Sequence, residues 1–282
     1  MKEHKTLPVP AGTRIAFQGQ PGSFSQHAGV KIFGTRIVLF PCLTFEDAFN
    51  SVARKKAEYA VIPIENTLAG SIYQNFDLLA HHSLQVVAET SLRVEHNLIA
   101  HPGVNLRQIK QIYSHPAALE QCKRLLRRLR SIEKISFYDT AGSVKFIRDK
   151  GLRSAAAIAS EDAAHIYGMK ILRRSIEDEP ENYTRFLALA RRNSFPSGGQ
   201  KTSIVFGLKN GPGVLFKALS VFALRNIDLS KIESRPIRRK PWEYLFYLDL
   251  QIDIRSRDCR NALRHLRELA LYLKVLGSYP SF

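Results

Sequence analysis

Apolar residues in the first two thirds of the chain fall in short runs, each closed by a small polar or glycine-bearing turn. Residues 14–18 (Arg-Ile-Ala-Phe-Gln) predict a first strand, which enters the tight turn Gly19-Gln20-Pro21-Gly22-Ser23 and a helix from about Ser25. Residues 36–40 predict a second strand. Thr44 then has the chemistry of a helix N-cap, with Asp47 three residues on and apolar positions 45, 48, 49 and 52 at helical spacing. The run 59–64 is almost wholly apolar, as a strand covered on both faces is. It ends in the loop 65–71, and a helix follows to about His81. Residues 84–100 predict two strands that cross between lobes. Further strands are expected at 109–113, 135–138, 155–159 and 170–173. The turns after the first three are Ser114-His115-Pro116, Asp139-Thr140-Ala141-Gly142-Ser143 and Ser160, each opening a helix. Apolar positions 119, 122, 125, 126 and 129 predict one helical stripe. Alternation of strand and helix argues for an α/β fold with largely parallel sheets, in which ligands sit beyond the carboxyl ends of the strands.

The texture changes after residues 194–200, Ser-Phe-Pro-Ser-Gly-Gly-Gln, which predict a linker. Residues 202–208 alternate as a strand, Asn210-Gly211-Pro212-Gly213 turns the chain, and Leu215, Leu219 and Phe222 mark a helix. A second strand is expected at 227–234 and a long third one over 244–254. Cys259, Ala262, Leu263, Leu266, Leu269, Ala270 and Leu273 form a helical stripe, and 275–279 closes as a strand. The order βαββαβ is that of a ferredoxin-like module. The expected division is 13–193 and 201–282, with crossovers between the lobes of the first part near 90–96 and 174–182.

Composition narrows the class. A chain of 282 residues with 45% hydrophobic residues has enough material for two buried cores, and no apolar run is long enough to span a bilayer. Residues 1–12 are polar and lack the apolar core of a signal peptide, so a frayed tail is expected. Cys42, Cys122 and Cys259 have no metal or disulfide spacing. They predict a reducing cytoplasm, with Cys122 and Cys259 as core residues. The net charge of +17 invites a nucleic-acid reading. The basic residues are spread, however, and Lys123, Arg124, Arg127 and Arg128 fall opposite an apolar stripe, as a solvated helix face does. No nucleic-acid-reading motif is present, so neither nucleic acid nor membrane is expected as a partner.

Candidate chemistry concentrates at Asn182-Tyr183-Thr184-Arg185-Phe186, which sits between the acidic turn 177–181 and the strand-like run 187–190. An Arg fork holds a carboxylate, and an adjacent Thr donates a hydrogen bond. Helix N-termini at Ser23, Ser114 and Thr140 offer free N–H groups to anions. Three alternatives stay open. Asn66 either binds a ligand or braces its turn, His115 either binds a carboxylate or caps its helix, and Arg185 either binds a ligand or pairs with the acidic turn. No dinucleotide, P-loop or paired-His metal motif is present, so neither a cofactor nor a metal is expected.

Several segments in order resemble the prephenate dehydratase family with a C-terminal ACT domain, over nearly the whole chain. They are Thr184-Arg185-Phe186, the run 62–72 around Glu65-Asn66-Thr67, Ser114-His115-Pro116 with Gln121-Cys122, and Asp139-Thr140-Ala141-Gly142. Thr67 stands where the family more usually has Ser. The resemblance implies a periplasmic-binding-protein-like catalytic domain of two α/β lobes, followed by a ferredoxin-like ACT domain. It implies the decarboxylating dehydration of prephenate to phenylpyruvate, with Thr184 catalytic. Ser23, Asn66, Ser71, Ser114, His115, Thr140, Ala141, Gly142, Arg185 and Phe186 are then expected to bind substrate. Two further segments, Asn210, Gly211, Gly213, Val214 and Leu215, and Glu233-Ser234-Arg235-Pro236, are similar to those that bind phenylalanine, with Glu233 accepting its amino group. The turn departs from the family's commonest wording. A homodimer or homotetramer is implied. Arogenate dehydration, or a small-anion sensor without turnover, are the rival readings.

Overall fold

The computed structural model describes residues 6–191, 199–237 and 242–282. Most of the expected linker, 194–198, lies outside them, as do residues 1–5 of the expected tail. In chain order the elements are β1 (Arg14–Gln18), α1 (Phe24–Phe33), β2 (Val38–Cys42), α2 (Phe45–Ala53), β3 (Tyr59–Asn66), β4 (Gly70–Ser71), α3 (Tyr73–His81) and β5 (Gln85–Arg93). Then come β6 (Asn97–Ala100), β7 (Gln111–Ser114), α4 (Pro116–Gln121), α5 (Lys123–Arg128), β8 (Glu133–Ser136), α6 (Thr140–Asp149), β9 (Ala155–Ala159), α7 (Glu161–Ile166), β10 (Lys170–Arg173) and β11 (Tyr183–Ala190). The last group is β12 (Lys201–Gly207), α8 (Val214–Ala223), β13 (Leu229–Pro236), β14 (Tyr244–Leu250), α9 (Arg257–Leu269) and β15 (Tyr272–Tyr279). Far from fraying at residue 7, the tail is tied by Leu7 N–H to the Ile32 carbonyl at 2.7 Å.

The first compact unit comprises the residues up to Ile72 together with Thr90–Phe186, and it has two lobes. In one, β1 lies between β2 and β3, all parallel, with Ile15 opposite Leu39 and Tyr59. Its apolar strands are buried as expected: Ile15, Ala16, Ala60, Val61 and Ile62 are fully enclosed. The other lobe holds the sheet β10-β6-β9-β7-β8. There β7 is parallel to β8 and β9, but β6 runs antiparallel to both β9 and β10, so this sheet is mixed rather than largely parallel.

The expected single helix over 119–129 is broken at Cys122, whose backbone leaves the helix (φ −118°, ψ 25°). The cause lies far along the chain. Asp178 accepts from Arg124 N–H at 2.9 Å and donates its own N–H to the Gln121 carbonyl at 2.7 Å, which ends one helix and caps the next. The apolar stripe survives the break, with Leu125 and Leu126 buried and Lys123, Arg124, Arg127 and Arg128 in solvent. Strand β8 starts and stops two residues before the expected 135–138.

The second unit comprises Tyr73–Glu89 and Leu187–Phe282. Its βαββαβ segment forms a sheet in the order β13-β14-β12-β15, the ferredoxin-like arrangement. Ile204, Phe206, Leu248 and Leu250 pack with Phe222, Cys259 and Leu266. The long third strand stops at Leu250, and Ile252 and Ile254 turn inward onto this core. Leu273 leaves the helical stripe to join β15, because the helix ends at Leu269 and Ala270 is extended (φ −94°, ψ 139°).

In this grouping α3 and the start of β5 lie with the C-terminal residues. Gly277 pairs with Val86, where a Cβ would lie 2.1 Å from the Val86 carbonyl oxygen, so only glycine fits. Tyr247 donates to the Phe76 carbonyl at 2.9 Å, and Lys274 to that of Leu79 at 2.7 Å. All three cysteines are buried free thiols. Burial pushes Cys259 up to about 11 and Cys122 further. Both are the core residues expected.

Candidate active site

The first unit contains a cleft of about 410 Å³ beyond the carboxyl ends of β1, β3, β7 and β8. Gln18 ends β1, Asn66 ends β3, His115 follows β7, and Tyr138, Asp139 and Thr140 follow β8; all six line it. Thr184 and Phe186 on β11 line it too.

Thr184 is held by a specific bond. Asn66 Nδ2 donates to Thr184 Oγ1 at 2.9 Å, to Asn182 Oδ1 at 2.6 Å and to the Tyr183 carbonyl at 3.1 Å. Asn66 Oδ1 accepts from the N–H groups of Leu68 and Ala69, which folds the loop after β3. The two open readings of Asn66 therefore resolve in favour of bracing. Its N–H groups already have three protein acceptors, so it lines the cleft as the residue that orients Thr184. A hydroxyl whose oxygen accepts in this way has its hydrogen left to donate. Thr67 accounts for the loop's hydroxyl: Oγ1 donates to the Glu181 carbonyl at 3.0 Å and accepts from Tyr183 N–H at 2.9 Å.

Arg185 is a correction. Side chains alternate along a strand, and β11 begins at Tyr183, so Thr184 and Phe186 share the cleft face while Arg185 points the other way. Its guanidinium lies 3.6 Å from Glu65, the residue beside Asn66 on β3. It pairs there, and not with the acidic turn, where Glu177 instead pairs with Arg93 and accepts from His96 N–H.

Other expected binders also stand behind the wall. Ser114 is fully buried and donates to the Ile158 carbonyl at 2.6 Å. Ala141 and Gly142 are buried in the first turn of α6, and Ser71 sits on β4 opposite Glu65. The structure thus brings together Ser23, Asn66, His115, Thr140, Thr184 and Phe186 from the predicted set.

His115 caps α4, its Nδ1 accepting from Ala117 N–H at 3.2 Å. Burial holds its pKa below the ordinary value, against the pull of the Asp139 carboxylate. A neutral ring with Nδ1 as acceptor carries its proton on Nε2, so the cap and a donor role coexist.

Asp139 caps α6 through Ala141 N–H at 3.2 Å, and its other oxygen accepts from Gln20 N–H in the opposite lobe at 2.8 Å. Burial raises its pKa, and these backbone bonds oppose the rise. Two further contacts join the lobes: Ser160 Oγ donates to the Gly22 carbonyl at 2.6 Å, and Gly22 itself abuts Ala163.

His96 had no site role in the sequence reading and nonetheless lines the cleft. It is 2% exposed, with Nε2 2.9 Å from Gln121 Oε1. These two residues are 25 apart, and no local pattern links them. Burial lowers the His96 pKa, opposed by Gln121 and Glu177. The unfolded chain therefore takes up a proton more readily than the folded one, and stability present above about pH 6.5 falls as the pH drops. Denaturant unfolding between pH 7.5 and 5 is expected to show a slope of up to about 1.4 kcal/mol per pH unit from this group. His96→Gln flattens it, and because all other groups are common to both proteins, identical slopes would contradict the assignment.

In the second unit, Gly213 takes a left-handed conformation (φ 74°) at the start of α8, and β13 is the outer strand of its sheet. Arg235, expected to face phenylalanine, pairs with Asp77 at 3.0 Å and stacks over Tyr73 at 4.4 Å. Glu233 lies 3.7 Å from Lys231.

A two-lobed α/β unit whose largely apolar cleft carries a few convergent polar groups at the strand ends, accompanied by a ferredoxin-like module, is the class that fold and site define. The prephenate dehydratase family model matches residues 15–194 and the ACT domain model residues 202–264. The chain belongs to the prephenate dehydratase family, with a C-terminal ACT domain. It is 47% identical to arogenate dehydratase/prephenate dehydratase 2 of Arabidopsis thaliana over 278 residues, covering 95% of this chain and 72% of that protein. Among solved structures, the prephenate dehydratase of Arthrobacter aurescens in complex with L-Phe superposes with a TM-score of 0.87 at 29% identity, covering 95% of this chain and 90% of that one. GqqA, described as a novel type of quorum quenching acylase, superposes at 0.86 with 32% identity, covering 95% and 98%.

Proposed function

We propose that this protein converts prephenate to phenylpyruvate, the committing step toward L-phenylalanine, and that L-phenylalanine regulates it through the ACT domain. The observation that carries the reading is the Thr184 hydroxyl, set by Asn66 on the wall of a cleft between two lobes. Prephenate is a cyclohexadiene bearing a ring carboxylate and a pyruvyl group on one carbon and a hydroxyl on the carbon opposite. Breaking the bond to the ring carboxylate releases carbon dioxide and sends its electron pair into the ring. The opposite carbon–oxygen bond breaks, the departing oxygen takes both electrons, and a solvent proton completes the water. Aromatisation supplies the driving force.

The protein's tasks are to hold the substrate in one pose and to help the oxygen leave. Thr184 donates a hydrogen bond to that oxygen as its charge grows. A Thr hydroxyl is far too weak an acid to act alone at neutral pH, so its part is stabilisation of the leaving group. Ser23 and Thr140 hydroxyls, the N–H groups opening α1, and His115 Nε2–H are the donors for the carboxylates.

For phenylalanine, the turn Asn210, Gly211, Gly213, Val214 and Leu215 offers N–H groups to the carboxylate, and Glu233 with Ser234, Arg235 and Pro236 forms the second segment. Phe216, Leu224 and Trp242 are 76–80% exposed in this unit, and β13 presents a free sheet edge with Ile232 outward. These features suit a homodimer or homotetramer, testable by light scattering. The buried free thiols suit a reducing compartment. Phenylpyruvate formation from prephenate, followed with and without L-phenylalanine, tests the reading. Turnover that phenylalanine suppresses supports both parts, and turnover indifferent to phenylalanine removes the regulatory one.

A further inference from the structure

The charges lining the cleft are unusual for a site that takes a dianion. Among the described residues that form its wall there is no lysine or arginine, and Asp139 is the one carboxylate. Arg185, the cation expected there, points to the opposite face of β11 and lies beside Glu65. The two histidines on the wall, His96 and His115, are both held toward the neutral form by burial.

We propose that Asp139 sets the balance between two substrates of this cleft, prephenate, which carries a ketone, and arogenate, which carries an ammonium in the same place, by promoting the turnover of arogenate. This rests on the dehydratase reading above. Prephenate brings two negative charges and only acceptors on its side chain. Beside Asp139 it meets a like charge with no cation in the wall to offset it. Arogenate brings the same two carboxylates, but its ammonium pairs with the carboxylate and reduces the net charge to be accommodated.

The placement fits the shape of the substrate. The leaving hydroxyl and the side chain lie on opposite ring carbons. Thr184 and Asn66, which serve the hydroxyl, belong to the lobe of β1 and β3, whereas Asp139 opens α6 in the other lobe. Asp139 is 8% exposed, and its carboxylate accepts backbone N–H bonds from Gln20 across the cleft and from Ala141 and Gly142 in its own helix. Those bonds fix the carboxylate and oppose the rise in its pKa that burial causes, and an ammonium beside it would favour the ionised form further.

The test is the ratio of kcat/KM for arogenate to that for prephenate, in the full-length protein and in two neutral variants, Asp139→Asn and Asp139→Ser. Both replacements retain a helix cap, so a shared result does not depend on one side chain's geometry. The ratio is expected to fall about 10- to 100-fold in each, the scale of a lost hydrogen bond to a charged group. Ser160→Ala removes another bond between the lobes without altering the charge of the cleft. It is expected to slow both substrates by a common factor and leave the ratio in place. If the Asp139 variants also lose both activities by a common factor, Asp139 is only a latch between lobes and the proposal is overturned while the dehydratase reading stands. If the unaltered protein turns over neither substrate, the dehydratase reading falls and takes the proposal with it.

Discussion

Replacing Thr184 by Ala is expected to lower kcat by about 10²-fold or more with little change in KM, the cost of one preorganised donor that acts mainly in the transition state. The hydroxyl, not the bulk of the side chain, carries the effect, so Thr184→Ser retains most of the rate. The bond from Asn66 adds a further check. Asn66→Ala leaves Thr184 free to turn its hydroxyl elsewhere, and it lowers kcat through that same group. The two substitutions are therefore expected not to add: in the double variant, loss of Asn66 costs little beyond the loss of Thr184. Steady-state kinetics on the four proteins check this. A kcat in Thr184→Ala equal to that of the unaltered protein would remove the hydroxyl from the mechanism.

The second large effect is expected at Gly22. Its φ of +89° is one that only glycine adopts without strain, and a Cβ there would lie 2.6 Å from Ala163 Cα in the other lobe. The backbone atoms on both sides have no flexible end that can yield. Gly22→Ala therefore has to spread the lobes by a good fraction of an ångström, which displaces Gln20 from Asp139 and separates the walls that position the substrate. A loss of about 10²-fold in kcat/KM is expected from misplacement on that scale. Gly12 provides the control. Its φ is +82°, but a Cβ there meets nothing within 4 Å. Gly12→Ala suffers the backbone strain alone, about 1–2 kcal/mol of stability, and keeps its kinetics. If both variants keep normal kinetics, the contact between lobes has no part in turnover.

Much of this architecture is legible in the chain because it rests on local rules. The strand–turn–helix repeats, the caps at Ser23, Thr44 and Ser160, and the βαββαβ order all follow from short-range pattern and turn chemistry. Thr184 is legible from its motif. The direction of Arg185 is hidden when the strand is started at Leu187, where the apolar run begins. Once the strand starts at Tyr183, the period of two carries Arg185 away from Thr184 and toward Glu65. What local pattern cannot give is contact between distant residues. Asp178 breaks a helix 54 residues away. His96 meets Gln121, and Asp139 meets Gln20 across 119 residues. The grouping of α3 with the C-terminal module depends on Val86 meeting Gly277, which nothing near either residue foretells.

The central claim is that the cleft holding Thr184 is a site of turnover and not only of binding. The most direct measurement follows carbon dioxide release and aromatic product together, for prephenate and arogenate separately, with binding of each measured by calorimetry on the same preparation. The account predicts one carbon dioxide and one aromatic product for each substrate molecule consumed, at a rate that collapses in Thr184→Ala. Tight binding of either compound with no carbon dioxide released from either would contradict it, and would make the cleft the binding site of a sensor.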